Sequence, residues 1–427
     1  PDRQSQDAVY PAPGGEVKVL KIGAAISNTG KFFREGELVS RGYDLWAKTV
    51  NDQGGIQVGS DTYTIEMIYY DDEGDADTAA RLAEKLVAED EVNFVFGPYS
   101  SGLSLAVGAI TDKYQTVMIA PAGNADALFA QGYEYFFGLA APASTLISPF
   151  VDMLNQTDDP PQSIAVVSKD DLFGQTQRGG IIAHLEQTGS PDVVFDDTYP
   201  AEATDFGTLI VQIQSASPDV IVQTGHHQDC ATFLTQLQEL GSQHKAYFCS
   251  GPDMGDFYDI LGDDASHVYG YTLGWDQNVP WCDDVMGCAA DYTSTHEGVY
   301  GEAPSYQAVN ASAAGVLLQK AMQAAGSIDA TAVRDALREL ELTIGAGPVD
   351  YNDAGQNVAA GSAVQQIMPG GEVVLVWPPD RQSQDAVYPA PGGEVKVLKI
   401  GAAISNTGKF FREGELVSRG YDLWAKT

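Results

Sequence analysis

FVFGPYSSGLSLAV, residues 94–107, runs from an apolar strand through Gly97-Pro98 and two adjacent serines into a helical pattern. Such a corner suits an anion. The first N–H groups of a helix lack intrahelical partners, and the macrodipole adds partial positive charge at the same end. Ser100 or Ser101 could equally be a plain helix cap, and caps outnumber ligand sites. The rest of the chain has to separate the two readings.

The same strand-then-helix grammar recurs on both sides. VKVLKIGAAIS (17–27) reads as a buried strand, 36–52 as an amphipathic helix, YTIEMIYYDD (63–72) as a strand and DADTAARLAEKLVAED (75–90) as a helix. After TVMIAPAGN (116–124) and YFFGLAA the alternation restarts at SIAVVSKD (163–170) and continues through DVVFDDTYP, DVIVQTG, AYFCSG and VYGYTLG. Short continuous apolar strands, each followed by a helix, mean parallel sheets covered on both faces. The restart near residue 140 predicts two α/β lobes. A helical block, SYQAVNASAAGVLLQKAMQAAG (305–326), then precedes two closing strands near 363–377.

Open parallel sheets bind ligands beyond the carboxyl ends of their strands. The strand-end residues are Ser27 to Phe33, Asp71-Asp72, Ser100-Ser101, Ala122 to Asn124, Asp170 to Phe173, His226-His227 and Asp253. They fall in both lobes, so a cleft between the lobes would collect them.

Composition narrows the partners. The 427 residues carry 59 acidic and 23 basic side chains, a formal net charge of -36. Nucleic acid and anionic membrane surfaces would be repelled. No apolar run reaches the roughly 18 residues of a membrane span. The chain opens at Pro1 rather than Met, so a processed or trimmed N-terminus is expected. Cys282 and Cys288 bracket a loop-like stretch suited to a local disulfide, while Cys230 and Cys249 fall beside neighbouring predicted strands. Two bridges would place the protein outside the cytoplasm, with two pairs of free thiols as the alternative.

Residues 379–427 repeat residues 1–49 letter for letter. A single perfect copy at the far end is unlike a solenoid repeat and reads as a duplication, or as a circular sequence read past its origin. Residues 1–16 read as a linker-like tail. One slot in one sheet accepts one copy, and the first copy is joined to the next strand by the shorter connection. The duplicate 379–427 is therefore expected to be redundant, with its deletion leaving binding and melting nearly unchanged.

GAAISNTGKFFREGELVSRGYDLWAKTVNDQGGI, YYDDEGDADTAARLAEKLV, FVFGPYSSG and MIAPAGN occur in an order and spacing that resemble the periplasmic solute-binding proteins for branched-chain amino acids and amides. TYPAEATDFGTLIVQIQSASPDVIVQTG, PSYQAVNASAAGVLLQKAM and GPVDYNDAGQN continue the likeness across residues 17–377. The resemblance implies the type I periplasmic binding protein fold: α/β, two doubly wound parallel-sheet lobes joined by three hinge crossings. Lobe I would hold 17–141 plus about 275–344, and lobe II 142–274 plus about 345–377.

It also implies a binding set. Ser101, four residues after Gly97, would grip a carboxylate with Ser100 beside it, and the Ala122 carbonyl would face an ammonium. Asn124 stands where threonine is usual, Asp253 where glutamate is typical, and His226 where tyrosine is frequent. Phe173 and Phe33 would supply aromatic walls from lobes II and I. The ligand would be a small zwitterionic amino acid, aliphatic or branched-chain, or an amide. The protein would be a monomer, periplasmic or extracellular, with a lipid anchor before processing left open. It would hand solute to the membrane permease of an ABC transporter, with no cofactor, metal or nucleic acid and no enzymatic activity. A sensing module of the same fold is the alternative, and an enzyme the third reading.

Rival motifs are weaker. Ser101, His226 and Asp253 could be recited as a triad, but no Gly-x-Ser-x-Gly elbow surrounds Ser101. HHQDC (226–230) has metal-ligand density without a second ligand set, and a cap by Asp229 is the duller account. SNTGKF (27–32) lacks the first glycine and the Ser or Thr of a phosphate loop.

Overall fold

The computed structural model describes residues 17–250, 254–275 and 278–391, with side chains from Phe257 onward in the second stretch. Asp253 and the second copy of the VKVLKIGAAI strand (395–404) lie outside the described residues.

The first lobe is built from β1 (Val17–Ile26), α1 (Phe33–Asp52), β2 (Ile56–Val58), β3 (Asp61–Asp71), α2 (Ala76–Ala88), β4 (Phe94–Phe96), α3 (Ser101–Lys113), β5 (Met118–Ala120), α4 (Asp126–Phe129) and β6 (Phe136–Gly138). Its sheet order is β2-β3-β1-β4-β5-β6, parallel except for the edge strand β2. β4 and β5 are buried at every residue, which is why they read as unbroken apolar triplets rather than alternating strands. The first copy of the repeated segment therefore fills the β1 slot, in register with β3 from Val17 opposite Thr62 to Ile26 opposite Asp71.

The second lobe follows α5 (Ser148–Leu154). It comprises β7 (Ser163–Asp170), α6 (Leu172–Thr188), β8 (Asp192–Pro200), α7 (Gly207–Ala216), β9 (Val220–Thr224), α8 (His227–Glu239), β10 (Ala246–Cys249), α9 (Met254–Leu261) and β11 (Tyr269–Thr272). The chain then returns to the first lobe through β12 (Cys282–Asp283), β13 (Gly287–Cys288), α10 (Ala289–Tyr300), α11 (Tyr306–Ala325), α12 (Ala330–Arg338), β14 (Glu341–Ile344) and β15 (Gly347–Asp350). It crosses back to close the second sheet with β16 (Ala363–Ile367) and β17 (Val373–Trp377), giving the order β17-β16-β11-β10-β9-β7-β8. β16 runs antiparallel to both its neighbours, β11 and β17, and the other pairings are parallel. Both disulfides form, Cys230–Cys249 joining α8 to β10 and Cys282–Cys288 closing the small β12–β13 ribbon.

Three hinge crossings are tied by buried amides. Asn357 donates to the carbonyls of Leu139 (2.9 Å) and Pro348 (3.1 Å), and Asn310 donates to Pro121 (3.3 Å) and Leu273 (3.5 Å). Two boundaries depart from the sequence reading. Val349 and Tyr351 pack in the first lobe's core, so the last segment of lobe II begins near residue 360, not 345. The duplicate is also not wholly redundant. Ala386, Val387 and Tyr388 pack against the core of lobe II, so the native structure extends past Trp377 into residues 379–391. Composition read these Pro- and Gln-rich residues as a linker because it cannot show that a surface is waiting for them.

Lobe I gains its second layer from α11, which lies against α1. A Cβ placed on Gly315 would sit 2.1 Å from the ring of Trp46, itself fully buried. Only glycine lets the two helices come this close. Gly315→Ala should cost about 1–3 kcal/mol through overpacking, read as a lower midpoint in denaturant unfolding with an unchanged slope.

Candidate functional site

The carboxyl ends of the two sheets confront each other. Between them lies a cleft of about 270 Å³ lined by residues that include Phe32, Ser100, Ser101, Lys169, Phe173 and His226. Wider depressions of about 490 and 880 Å³ lie elsewhere on the surface, so size alone does not single this one out. Its chemistry does.

The serine pair divides its labour. Ser100 is the N-cap of α3: its hydroxyl accepts from the Leu103 N–H at 3.3 Å, and its φ of 77° is one few residues other than glycine adopt. Such strain must be held in place by its surroundings. Ser101 is 1% exposed, and its Oγ accepts from the backbone N–H groups of Asn124 (3.3 Å) and Ala125 (3.1 Å). Both bonds use the oxygen as acceptor, which leaves the hydroxyl hydrogen to be donated. The pair thus ties the loop after β5 to the start of α3, beside Ala122, which is also buried.

Asn124 sits in this loop but serves the hinge as well. Its Nδ2 donates to the Ala141 carbonyl at 2.7 Å, on the crossing between lobes. Its Oδ1 is buried without a hydrogen-bond partner among the described residues. A threonine hydroxyl could not span this gap in the same way.

Lobe II contributes an aromatic and charged wall. Asp171 caps α6 by accepting from the Gly174 N–H at 2.7 Å, which sets Phe173 at the helix start. Phe173 stacks on His226 with centroids 5.6 Å apart. The His226 Nε2 lies 3.0 Å from Asp171 Oδ2, and its Nδ1 lies 3.2 Å from the Tyr99 hydroxyl of lobe I. Phe32 of lobe I meets the same ring edge-on at 5.1 Å. His226 is therefore a side chain on which the lobes touch. Both of its nitrogens are committed to Tyr99 and Asp171 while the Ser101 oxygen is committed to backbone, so no Ser–His pair forms. Asp229 does cap α8, accepting from the His226 N–H at 3.0 Å, and it also takes the buried Lys169 ammonium at 2.7 Å.

Phe33 does not face this cleft. It is 51% exposed and lines the outer crevice with Ile260, while the adjacent Phe32 turns inward. The doublet straddles the start of α1, where one residue of displacement swings a side chain by about 100°, and no periodicity fixes the first residue of a helix. Lys169, Tyr99 and Glu35 were also outside the sequence-predicted binding set. Lys169 is the penultimate residue of a strand that reads as apolar, and Glu35 reads as an ordinary acidic residue in a first turn.

Glu35 is the unexpected charge, 6% exposed at the interlobe contact. Burial pushes its carboxyl up, against the lowering pull of His226 and a backbone N–H. Burial works on Asp171 in the same direction, but the hydrogen bond and charge of His226, the Gly174 N–H and Lys169 outweigh it and hold that carboxyl below its usual range. Among the described residues no group of three or more His, Cys, Asp or Glu side chains is arranged to hold a metal ion, and no helix is long and apolar enough to cross a membrane.

The chain belongs to the Periplasmic binding protein family, whose sequence profile matches residues 19–372. It is 24% identical over 373 residues to the Leu/Ile/Val-binding protein homolog 7 of Brucella abortus (strain 2308), covering 84% of this chain and 91% of the relative. Among solved structures it is similar to the substrate-binding protein LivJ of Streptococcus pneumoniae in complex with isoleucine (TM-score 0.72, 20% identity, 84% of this chain and 100% of that one). It is similar also to the leucine-binding protein LivK of Thermotoga maritima (TM-score 0.74, 18% identity, 84% and 99%). The solute-binding protein of an ABC transporter from R. palustris, in complex with benzoate, superposes at TM-score 0.72 with 19% identity, covering 89% of this chain and 100% of that one.

The two shifted carboxyls make opposite contributions with pH. A raised Glu35 favours the fold when protonated, so that contribution is present below its ordinary value of 4.5 and lost as pH rises through the raised value. A depressed Asp171 contributes above its ordinary value of 3.8, and that contribution is lost as pH falls through the lowered value. Glu35→Gln should therefore raise the melting temperature at pH 7, the gain vanishing in acid, while Asp171→Asn should lower it. Thermal melts from pH 3 to 8 check both signs.

Proposed function

We propose that this protein is the extracytoplasmic solute-binding component of an ABC importer, trapping a small carboxylate with an apolar body by closure of the two lobes. The observation that carries the reading is the pairing, in one cleft, of the serine-capped start of α3 with a wall of Phe32, Tyr99, Phe173 and His226. The helix start offers N–H groups and a free hydroxyl hydrogen to a carboxylate, and the rings offer flat apolar surface to whatever the carboxylate carries. Solute meets lobe I at Ser100, Ser101, Ala122 and Asn124. Closure then brings Phe173 and His226 across, and Asp253, which lies outside the described residues, is the acid proposed for an ammonium group. Only the closed form makes both sets of contacts, so ligand shifts the population toward it.

A small amino acid, aliphatic or branched-chain, is the leading ligand, consistent with the names of the relatives. An aromatic carboxylate is the second reading, favoured by the number of rings in the cleft and by a neighbour holding benzoate. The family and the commitment of His226 to Tyr99 and Asp171 both favour a binding protein over an enzyme. Periplasmic location, delivery to a membrane permease, a monomeric state and a lipid anchor belong to this proposal. A sensing module built on the same trap differs only in its recipient.

A thermal-shift panel containing leucine, isoleucine, valine, small amides and benzoate tests the reading, since a ligand of the folded form raises the melting temperature by mass action. A shift with the amino acids identifies the leading class, a shift with benzoate alone identifies the second, and no shift with any carboxylate rejects both. For the ligand so found, Phe32→Ala should weaken affinity by about tenfold or more, as truncation of a buried aromatic anchor does, whereas Phe33→Ala should leave it nearly unchanged. Calorimetric titration of the two variants makes the comparison.

A further inference from the structure

The segment after β17 does not wander over lobe II but is held by it. Ser383 returns onto Leu375 through N–H to carbonyl (2.8 Å) and Leu375 N–H to Ser383 Oγ (3.1 Å). Next, the fully buried Gln366 grips one residue at both backbone atoms: Val387 N–H donates to Gln366 Oε1 at 2.8 Å, and Gln366 Nε2 donates to the Val387 carbonyl at 3.1 Å. The Tyr269 hydroxyl donates to the same carbonyl at 2.9 Å, and Ala390 N–H donates to the Lys245 carbonyl at 2.7 Å. Ala386, Val387 and Tyr388 cover part of the lobe II core. An amide that reads a peptide backbone from inside a sheet is a built recognition element, and it is independent of the solute cleft.

The dock lies at the end of lobe II remote from the cleft. Tyr269 opens β11, Lys245 immediately precedes β10, and Gln366 pairs with Tyr269. Residues 7–13, Asp-Ala-Val-Tyr-Pro-Ala-Pro, are identical to the seated residues 385–391. They lead into β1, whose first residue Val17 is likewise at the end of its strand away from the cleft. The eight residues from Val17 back to Val9, the counterpart of the gripped Val387, span at most about 29 Å. The carboxyl ends of β1 and β7 both lead into the cleft, where Phe32, after β1, meets the His226 ring of lobe II, so Val17 and the dock lie beyond the opposite ends of ten and eight residues of strand, about 60 Å of strand in all. A molecule's own N-terminal segment therefore falls short of its own dock. It can reach only the dock of another copy.

We propose that the base of lobe II is a peptide-binding site for the N-terminal segment 1–13 of a second copy of this chain, which would join copies head to tail, and that residues 379–391 fill this site in cis and so hold the chain apart from its neighbours. The contact is heterologous: the surface that receives differs from the segment that is received. Such contacts extend into open chains of molecules unless the receiving site is blocked. A tethered segment presents itself at about millimolar effective concentration, enough to exclude a free competitor of ordinary affinity.

The test uses the full chain carrying Val387→Asp and Tyr388→Asp, which puts charge against the apolar surface and ejects the seated segment. A fluorescent synthetic peptide with the sequence of residues 1–13 should bind this variant more tightly than the parent by on the order of 100-fold, the parent's dock being filled in cis. In sedimentation velocity the variant should form oligomers that grow with concentration, and adding Val9→Asp should remove them while the parent stays monomeric. A second variant of equal length, with residues 385–390 replaced by Gly and Ser, frees the dock without adding charge and should behave alike. Failure of the peptide to bind either variant, while each still melts cooperatively, overturns the proposal. So does equal peptide binding by the parent, or oligomers indifferent to Val9→Asp.

Discussion

A parallel strand must be followed by a crossover that brings the chain back to the start of the next one, and this constraint shapes the whole molecule. Each crossover helix begins where a strand ends, so every helix start in a lobe is delivered to one edge of its sheet. Those starts carry unpaired N–H groups and positive potential. Two lobes whose strand ends face each other therefore create an electropositive cleft before any side chain is chosen, in a protein whose net charge is -36. Ser100 and Asp171 then do similar work from opposite sides, each capping its helix with a side-chain oxygen. What distinguishes this protein is what stands beside the caps.

Beside them is a histidine with several obligations. His226 stacks on Phe173, meets Phe32 edge-on and hydrogen-bonds Tyr99 and Asp171. It thereby couples the acid at the start of α6 to the hydroxyl of the other lobe. Around it Lys169, Asp229 and Glu35 are also withdrawn from water. Lys169 and Asp229 compensate each other directly at 2.7 Å, whereas Glu35 has no paired side chain of opposite charge among the described residues and depends on the charge of His226, a backbone N–H and, less, Lys169. A buried carboxylate with so little direct compensation costs stability, and it sits where the lobes must part and rejoin. Perturbed groups of this kind gather at functional sites, where the fold accepts strain for the sake of a ligand.

Much of this was legible in the sequence, and the failures have identifiable causes. Unbroken apolar strands such as Phe94–Phe96 and Met118–Ala120 announced sheets buried on both faces, and the turn residues after them marked the cleft. Ser101 and Phe173 line the cleft because both follow strand ends, which are few. Phe32 was passed over for Phe33 because a helix boundary one residue adrift turns the wrong ring inward. Glu35 and Lys169 were missed for another reason: exposure is decided by the opposing lobe, which no local pattern contains. The assignment of 345–350 failed likewise, since β14 and β15 form their own ribbon and could have packed on either lobe.

The repeated segment carries that lesson furthest, because there composition is held constant. Residues 379–391 have the same letters as 1–13, and a propensity argument must treat the two alike. Their connections differ. The first stretch is joined to β1 at the base of lobe I, the second to β17 in the sheet of lobe II. Tethering to β17 places Val387 within reach of Gln366 at little entropic cost, while β1, to which the other copy is joined, belongs to the other lobe. A binding segment is thus defined by what its attachment allows it to touch. The buried amide of Gln366 supplies the specificity and the linker supplies the concentration, which is the same division by which the cleft works: fixed groups on one lobe, and a hinge that determines when the other lobe can add its own.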